Sequence, residues 1–432
     1  MPQEEQEAQG GMRSPSYDSL FAKDATFGLE WVHAGLFVNP AWTIEPTIES
    51  IKATLGIAIG NHQDYRVRLP YIGGAYTRLY EVYFNDKAYV MRVSLPVCPR
   101  AKTESEVATL EWVHQHTCLP VPRVVAYDSS RDNPLGFEWI LMTKIDGKPL
   151  AECWWSVSLA AKERIVKQIA AFSAAAFQYQ PSHEGIGSIY KAVPDSDGPT
   201  RGPFSDSSDW VTARLRHASA DLTSRLPGIA DEQERRLAGR MIDLISGLER
   251  LKGTFFPDCN KEDKSDTNAE KRPVRTILCH DNLSLDNILV DENGVLMGVI
   301  DWQCIPCLPV HDSCQFPSFL QQMHDRFQEP TGHLYVIDAG EPPHPAYFRD
   351  LRRFEMTKLR RLYIEEMLDL DSEFVVTWRR DANADLRDYE AAVQNCDNEF
   401  IADLLEEWVN VLEEWGTPSQ MPKRLHELLQ GG

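Results

Sequence analysis

The stretch of this chain richest in chemistry reads TILCHDNLSLDNILVDENGVLMGVIDW, from Thr276 to Trp302. A polar loop carrying His280, Asp281 and Asn282 leads to Asn287. Apolar residues on either side of Asp291-Glu292-Asn293-Gly294 then predict two strands joined by a turn, and Asp301 follows the second strand. A hairpin of this kind brings its two ends together, so Asn287 and Asp301 can converge on one point. One amide oxygen and one carboxylate suit magnesium bound to a nucleotide, because hard cations take a few oxygens from protein and the rest from phosphate and water. A second group of chemically active residues follows directly: Cys304, Cys307, His311 and Cys314. These are ligand types that zinc selects, but the pairs lie close together and Pro306 and Pro309 stiffen the turn between them. We read them as buried thiols behind the nucleotide site.

The elements that must position these residues can be read from periodicity. Residues 1–16 are polar and rich in Gly, Pro and Ser, which predicts a disordered tail. Residues 17–66 read as a helical extension, with Ile48, Ile51 and Leu55 on one helix face and Gly56 closing it. Residues 67–145 alternate as strands. Val67 to Tyr71, Tyr80 to Phe84 and Tyr89 to Val93 form a meander around Gly73-Gly74 and the Asn85-Asp86 turn, with Val124 to Tyr127 and Glu138 to Thr143 as two further strands. Between them Thr103 to Gln115 reads as a helix, with Thr103 and Glu106 spaced as a capping box. Residues 146–432 are mainly helical, notably around Ile165 to Ala176, Leu351 to Leu368 and Glu399 to Trp415. A charged, low-complexity insertion at 258–275 reads as mobile. The fold class is therefore α+β, with a small antiparallel-sheet lobe and a larger helical lobe.

From about Leu69 to Leu320 the chain resembles the aminoglycoside phosphotransferase and choline kinase-like family, in its fungal phosphotransferase-like branch, and this resemblance implies the two-lobed protein-kinase-like fold. It rests on His280, Asn287 and Ile300-Asp301-Trp302, in the family's order and spacing. The resemblance implies ATP and Mg²⁺ as cofactors, with Asn287 and Asp301 as metal ligands. It also implies Gly73-Gly74 as a turn approaching phosphates, though a Gly pair in a hairpin also serves simply as a turn. Where the family has a phosphate-binding Lys on the third strand this chain has Arg92, a cation that can hold phosphate oxygens in bidentate fashion. Glu106 takes the position that pairs with that cation, the capping role being its alternative. Met142 to Lys144 would be the hinge whose backbone meets adenine.

One departure bears on catalysis. Five residues before Asn287, where the family has its catalytic Asp, stands Asn282, and the carboxylate Asp281 comes one residue early. An amide orients a hydroxyl but accepts no proton. Either Asn282 orients the acceptor in a slowed enzyme, or the loop slips by one residue and Asp281 serves.

The bulk composition excludes several classes. A net charge of −21 and pI near 5.0 disfavour nucleic acid or an anionic membrane as partner, and suit a soluble protein or a cationic small-molecule substrate. No apolar run approaches the ~20 residues a spanning helix needs, and no export signal opens the sequence. Nine cysteines without that signal read as reduced thiols in a cytoplasmic protein. Two functions fit: an ATP-dependent phosphotransferase acting on a hydroxyl of a small molecule, or a catalytically impaired kinase-like protein that holds ATP or a metabolite as sensor or scaffold.

Overall fold

The computed structural model describes residues 27–34, 36–60, 65–68, 72–179, 181, 185–190, 202–257, 274–321, 324–335, 344–415 and 424–425. The tail at 1–16 and most of the insertion at 258–275 lie outside these residues.

The chain enters as a hairpin, β1 (Leu29–Ala34) and β2 (Phe37–Trp42), before helix α1 (Ile48–Ile59). This corrects the reading of 17–66 as helical, since backbone pairing from Leu29↔Trp42 to Ala34↔Phe37 makes 29–42 extended. The hairpin's turn reaches the far lobe, where Arg225 donates to the Leu36 carbonyl at 2.6 Å. Thr47 caps α1 with its side chain, and the helix runs past Gly56 to Gly60, whose φ of +96° ends it.

The sheet follows: β3 (Arg66–Val67), β4 (Ile72–Gly73), β5 (Thr77–Phe84), β6 (Lys87–Ser94), β7 (Val124–Asp128) and β8 (Glu138–Thr143). It is antiparallel, in the order β3-β5-β6-β8-β7, with β4 on β5. Asn85 and Asp86 take positive φ, the signature of a two-residue hairpin turn. Helix α2 (Ala101–His116) packs on this sheet, with Val107 beside Val90, Ile140 and Met142. The other face buries Ile51, Leu55, Tyr80, Met91 and Trp139, so α1 covers the sheet from behind.

Beyond Ile145 the chain is helical around two small sheets. In order come β9 (Lys148–Pro149), α3 (Leu150–Cys153), α4 (Leu159–Gln178), β10 (Gly187–Ser188), α5 (Ser207–Arg225) and α6 (Glu232–Phe255). Next are β11 (Thr276–Leu278), β12 (Ile288–Val290), β13 (Leu296–Val299), β14 (Pro306–Pro309), α7 (Val310–Ser313) and α8 (Ser318–Gln321). Four helices close the chain: α9 (Pro345–Leu370), α10 (Ser372–Trp378), α11 (Asp381–Gln394) and α12 (Ala402–Trp415). Helix α4 buries Ile165, Ile169 and Phe172 against α9 and the β12–β13 hairpin in one core, while α5, α6, α11 and α12 share another. Two lobes, one sheet-based and one helical, make this a protein-kinase-like fold.

Candidate active site

The hairpin at Asn287–Asp301 forms as its sequence requires. Asp291 accepts the amides of Asn293 and Val295 at 2.9 and 2.8 Å, and Gly294 supplies the left-handed residue of the turn at φ +72°. Pairing of Ile288 with Val299 continues into Ile300 N–H donating to the Asn287 carbonyl at 3.0 Å, which leaves Asp301 beside Asn287. Gly298 lets the hairpin pack under the crossing between lobes, since a Cβ there would stand 2.3 Å from Ile145 Cδ1. Asp301 itself adopts φ +64°, a strained conformation for a residue with a side chain.

Arg92 projects from β6 toward this point. Its guanidinium meets Glu106 of α2 at 2.8 Å, Gln303 at 3.2 Å and Asp301 at 3.5 Å, so both lobes converge on it. Arg92 and Glu106 are buried, and the two carboxylates hold the guanidinium above its ordinary range against desolvation. The capping box does not form. The helix begins at Ala101, two residues before Thr103, whose hydroxyl bonds Glu138. Glu106 is free to face Arg92.

Asn287 donates its amide to the Asn282 carbonyl at 2.9 Å, and its Oδ1 accepts no hydrogen bond among the described residues. That oxygen and the half-buried Asp301 carboxylate are acceptors of the type magnesium takes, so the residues fit the metal. Behind Arg92 a small cavity of about 90 Å³ is lined by Val90, Met142, Thr143, Lys144, Ile300 and Trp302. Lys144 also pairs its ammonium with Glu81 at 2.5 Å. The Gly74 N–H donates to Thr77 at 3.0 Å, closing the turn over the sheet's end, and the Gly74 carbonyl accepts from Arg78 at 2.9 Å.

His280 has a supporting position. It is buried against Trp302 at 4.7 Å between ring centroids, and Nε2 lies 3.2 Å from the Ile300 carbonyl. Burial pushes its pKa down to about 4, so at neutral pH the ring is uncharged and donates to that carbonyl. It thereby ties the polar loop to the Asn287–Asp301 hairpin.

The next two residues diverge. Asn282 is exposed and held by its backbone to Asn287. Asp281, also exposed, lines a cavity of about 1010 Å³ within the helical lobe, whose wall includes Asp312, Gln315, Phe316, Trp378 and Arg387 but not Asn282. Partial desolvation in this cavity raises the Asp281 carboxyl above its usual range, with the Asp301 charge adding a smaller push.

Sequence reasoning did not identify Asp312, Arg387, Tyr76 or Lys102. Burial beside Glu390 pushes Asp312 up to about 7. Lys102 could have been found, since it stands one turn before Glu106 on the same face of α2. The cysteines part company: Cys307 and Cys314 are buried, Cys304 is exposed, and His311 is engaged by Glu390 at 2.9 Å. Reading Cys304 as buried is therefore corrected.

Among the described residues no helix is long and apolar enough to cross a membrane. The chain is 24% identical over 298 residues to a subtelomeric hrmA-associated cluster protein of Aspergillus fumigatus, covering 56% of this chain and 58% of that protein. It is 27% identical over 230 residues to clavilactone A biosynthesis cluster protein Y of Ampulloclitocybe clavipes, covering 51% and 54%. The chain thus spans little more than half the length of these relatives. Among solved structures, a thermostable mutant of aminoglycoside phosphotransferase APH(4)-Ia in its apo form matches at 16% identity, covering 85% of this chain and 100% of that one with a TM-score of 0.42. The ternary complex of such a mutant with ADP and hygromycin B matches at 14% identity, 84% and 98% coverage and a TM-score of 0.44. A family model matches residues 69–310, more than half of the chain and the segment that carries Arg92, Glu106, Asn287 and Asp301, and on that match the chain belongs to the phosphotransferase enzyme family.

Proposed function

We propose that this protein transfers a phosphoryl group from ATP to a hydroxyl of a small molecule. The observation that carries the reading is Arg92, a buried cation shared by Glu106 of the sheet lobe and Asp301 of the helical lobe at the mouth of a cavity between them. Magnesium, when bound, would offset the negative charge of the phosphates. Asn287 and Asp301 would hold it, Arg92 would orient phosphate oxygens with Glu106 fixing its direction, and the Gly73-Gly74 turn would cover the phosphates. Adenine would enter the small cavity against the Met142–Lys144 backbone. His280 holds the loop in place from behind.

The acceptor would lie in the larger cavity, where Asp281 is the carboxylate nearest the family's catalytic position. Its raised pKa brings it toward the range in which a base works best. Asn282 would orient the acceptor hydroxyl. The wall sets Asp281, Asp312 and Asp325 beside Arg360, Arg361 and Arg387, a mixed lining that suits a polar acceptor bearing a cationic group no more than a neutral one, and the cysteines, all thiols among the described residues, suit a cytoplasmic setting.

A second reading is favoured by the bond from the Asn287 side chain to the Asn282 carbonyl, which holds the backbone of an amide-bearing residue, not a carboxylate, next to Asn287. With an amide at that position the protein would bind nucleotide as a sensor or scaffold and turn over poorly. A thermal-shift titration tests the nucleotide half common to both readings: ATP with magnesium should raise the Tm, and Asp301→Ala should remove the magnesium-dependent part. An unchanged wild-type Tm at millimolar ATP and magnesium would refute both. A metabolite screen for ATP-dependent mass gain then separates them.

A further inference from the structure

Lys102 is an ammonium in an unfavourable place. It is 6% exposed, stands in the first turn of α2 where the helix dipole opposes positive charge, and shares its surroundings with the Arg92 guanidinium. Among the described residues its Nζ forms no ion pair. It donates to the Ser94 hydroxyl at 3.1 Å and faces the Tyr76 ring at 5.5 Å. Of the carboxylates that face it, Glu106 holds Arg92 through Oε1 at 2.8 Å, and Glu138 accepts the Arg100 N–H at 2.8 Å and the Thr103 hydroxyl. Burial lowers its pKa, with Arg92 adding to that push, while Glu106, Cys304 and Glu138 oppose it.

Its location gives this arrangement a use. Ser94 is the register partner of Thr77, and Tyr76 accepts the Leu95 N–H at 2.9 Å, so the amine lies at the root of the Gly74–Thr77 turn. The turn is closely fitted there, since a Cβ on Gly74 would sit 2.9 Å from Thr77 Oγ1. Around it, Arg92 Nε and Glu106 Oε2 are buried with no hydrogen-bond partner among the described residues. A strut between α2 and β6 could be made by a neutral side chain without burying charge. An ammonium is justified where an anion arrives.

We propose that Lys102 is a second cation for the phosphate chain of the nucleotide, acting beside Arg92 beneath the Gly74–Thr77 turn. This rests on the reading of the cleft as a nucleotide site. Lys102 would give one or more N–H donors to phosphate oxygens, a contact that adenosine cannot make.

Calorimetric titration of the full chain with ATP, ADP and adenosine, in wild type and Lys102→Met, tests the assignment. Affinity for ATP and ADP should fall about 10- to 100-fold, the scale of one hydrogen bond to a charged group, while adenosine binding changes less than about twofold. If wild type binds none of the three, the nucleotide site itself falls and the role of Lys102 falls with it. If wild type binds them and the variant binds ATP equally well, only the Lys102 assignment falls. An equal loss for adenosine shows Lys102 to be a structural strut and also overturns it. Should the variant fail to fold, wild type carries the test. Phosphate charge should raise the depressed amine pKa, so ATP binding should take up protons over the range below the ordinary lysine pKa of about 10.4 and adenosine binding should not. Absence of uptake across that range overturns the proposal.

Discussion

Removing Arg92 should expose how much of the cleft depends on one ion pair. Arg92 and Glu106 meet at 2.8 Å with side chains 10% and 2% exposed. Two unit charges about 4 Å apart at the effective dielectric of a protein are worth roughly 4 kcal/mol, in line with the ~3–5 kcal/mol lost when one partner of a buried pair is removed. Arg92→Met should therefore destabilise the protein by about 3–4 kcal/mol, because Glu106 is left buried with only the more distant Lys102 as a cation. Glu106→Gln should cost less, about 1–2 kcal/mol, because Arg92 keeps Asp301 at 3.5 Å and Gln303 at 3.2 Å. The double variant buries neither partner of the pair alone, so it should cost about 2 kcal/mol less than the sum of the singles, within the range seen for contacting residues. Urea unfolding of the four proteins measures this directly. Additivity within about 0.5 kcal/mol would refute the claim that the two charges act as one unit.

Two further outcomes follow from the helical lobe. With Asp281 as the acceptor-facing base, Asp281→Asn should lower single-turnover phosphoryl transfer by about 10²–10⁴-fold while Asn282→Asp changes it little; the reverse pattern would place the base position at residue 282, and no rate in any of the three would favour the sensor reading. Asp312 faces Glu390, His311, Arg387 and Asp281, and its native pKa near 7 lies above the ordinary 3.8, so its contribution is intact in acid and lost as pH rises from about 4 to 7. Asp312→Asn removes that loss, so its stability relative to wild type should improve by about 2 kcal/mol between pH 5 and 8, as read by urea unfolding; a difference independent of pH would show the carboxyl to be ionised and solvated throughout.

The sequence showed the hairpin between Asn287 and Asp301 clearly because its signals are local. Asp291 and Gly294 define the turn, the flanking apolar runs define the strands, and the ends must then meet. The sheet was legible for the same reason, through alternation and the Asn85-Asp86 turn. Residues 29–42 were not, because Pro40 interrupts the strand pattern and the hairpin's support comes from Arg225 and Glu399, far along the chain. Thr103 and Glu106 had the spacing of a capping box. A tertiary contact outweighed it, since a buried ion pair with Arg92 on a neighbouring strand leaves no trace in the spacing of α2. Asp312 was hidden similarly, its raised carboxyl depending on burial and on Glu390 of a helix that local pattern does not connect to it.

The division between Asp281 and Asn282 now has a physical description. In a kinase-like loop one side chain both orients the acceptor and takes its proton, and neighbouring residues in an irregular loop rarely share a direction. Here the backbone at Asn282 is held by Asn287, whereas the carboxylate of Asp281 lines the larger cavity and has its pKa raised there. Moving the carboxylate by one residue thus changes its distance from Asn287 and Asp301 without removing it from the cavity. A loose transition state depends chiefly on positioning and on charge around the phosphates, and in the proposed function Arg92, Glu106, Asn287 and Asp301 supply those parts. What the substitution at 282 changes is how directly a base reaches the acceptor hydroxyl, and so its effect should fall on the chemical step and leave nucleotide affinity nearly untouched.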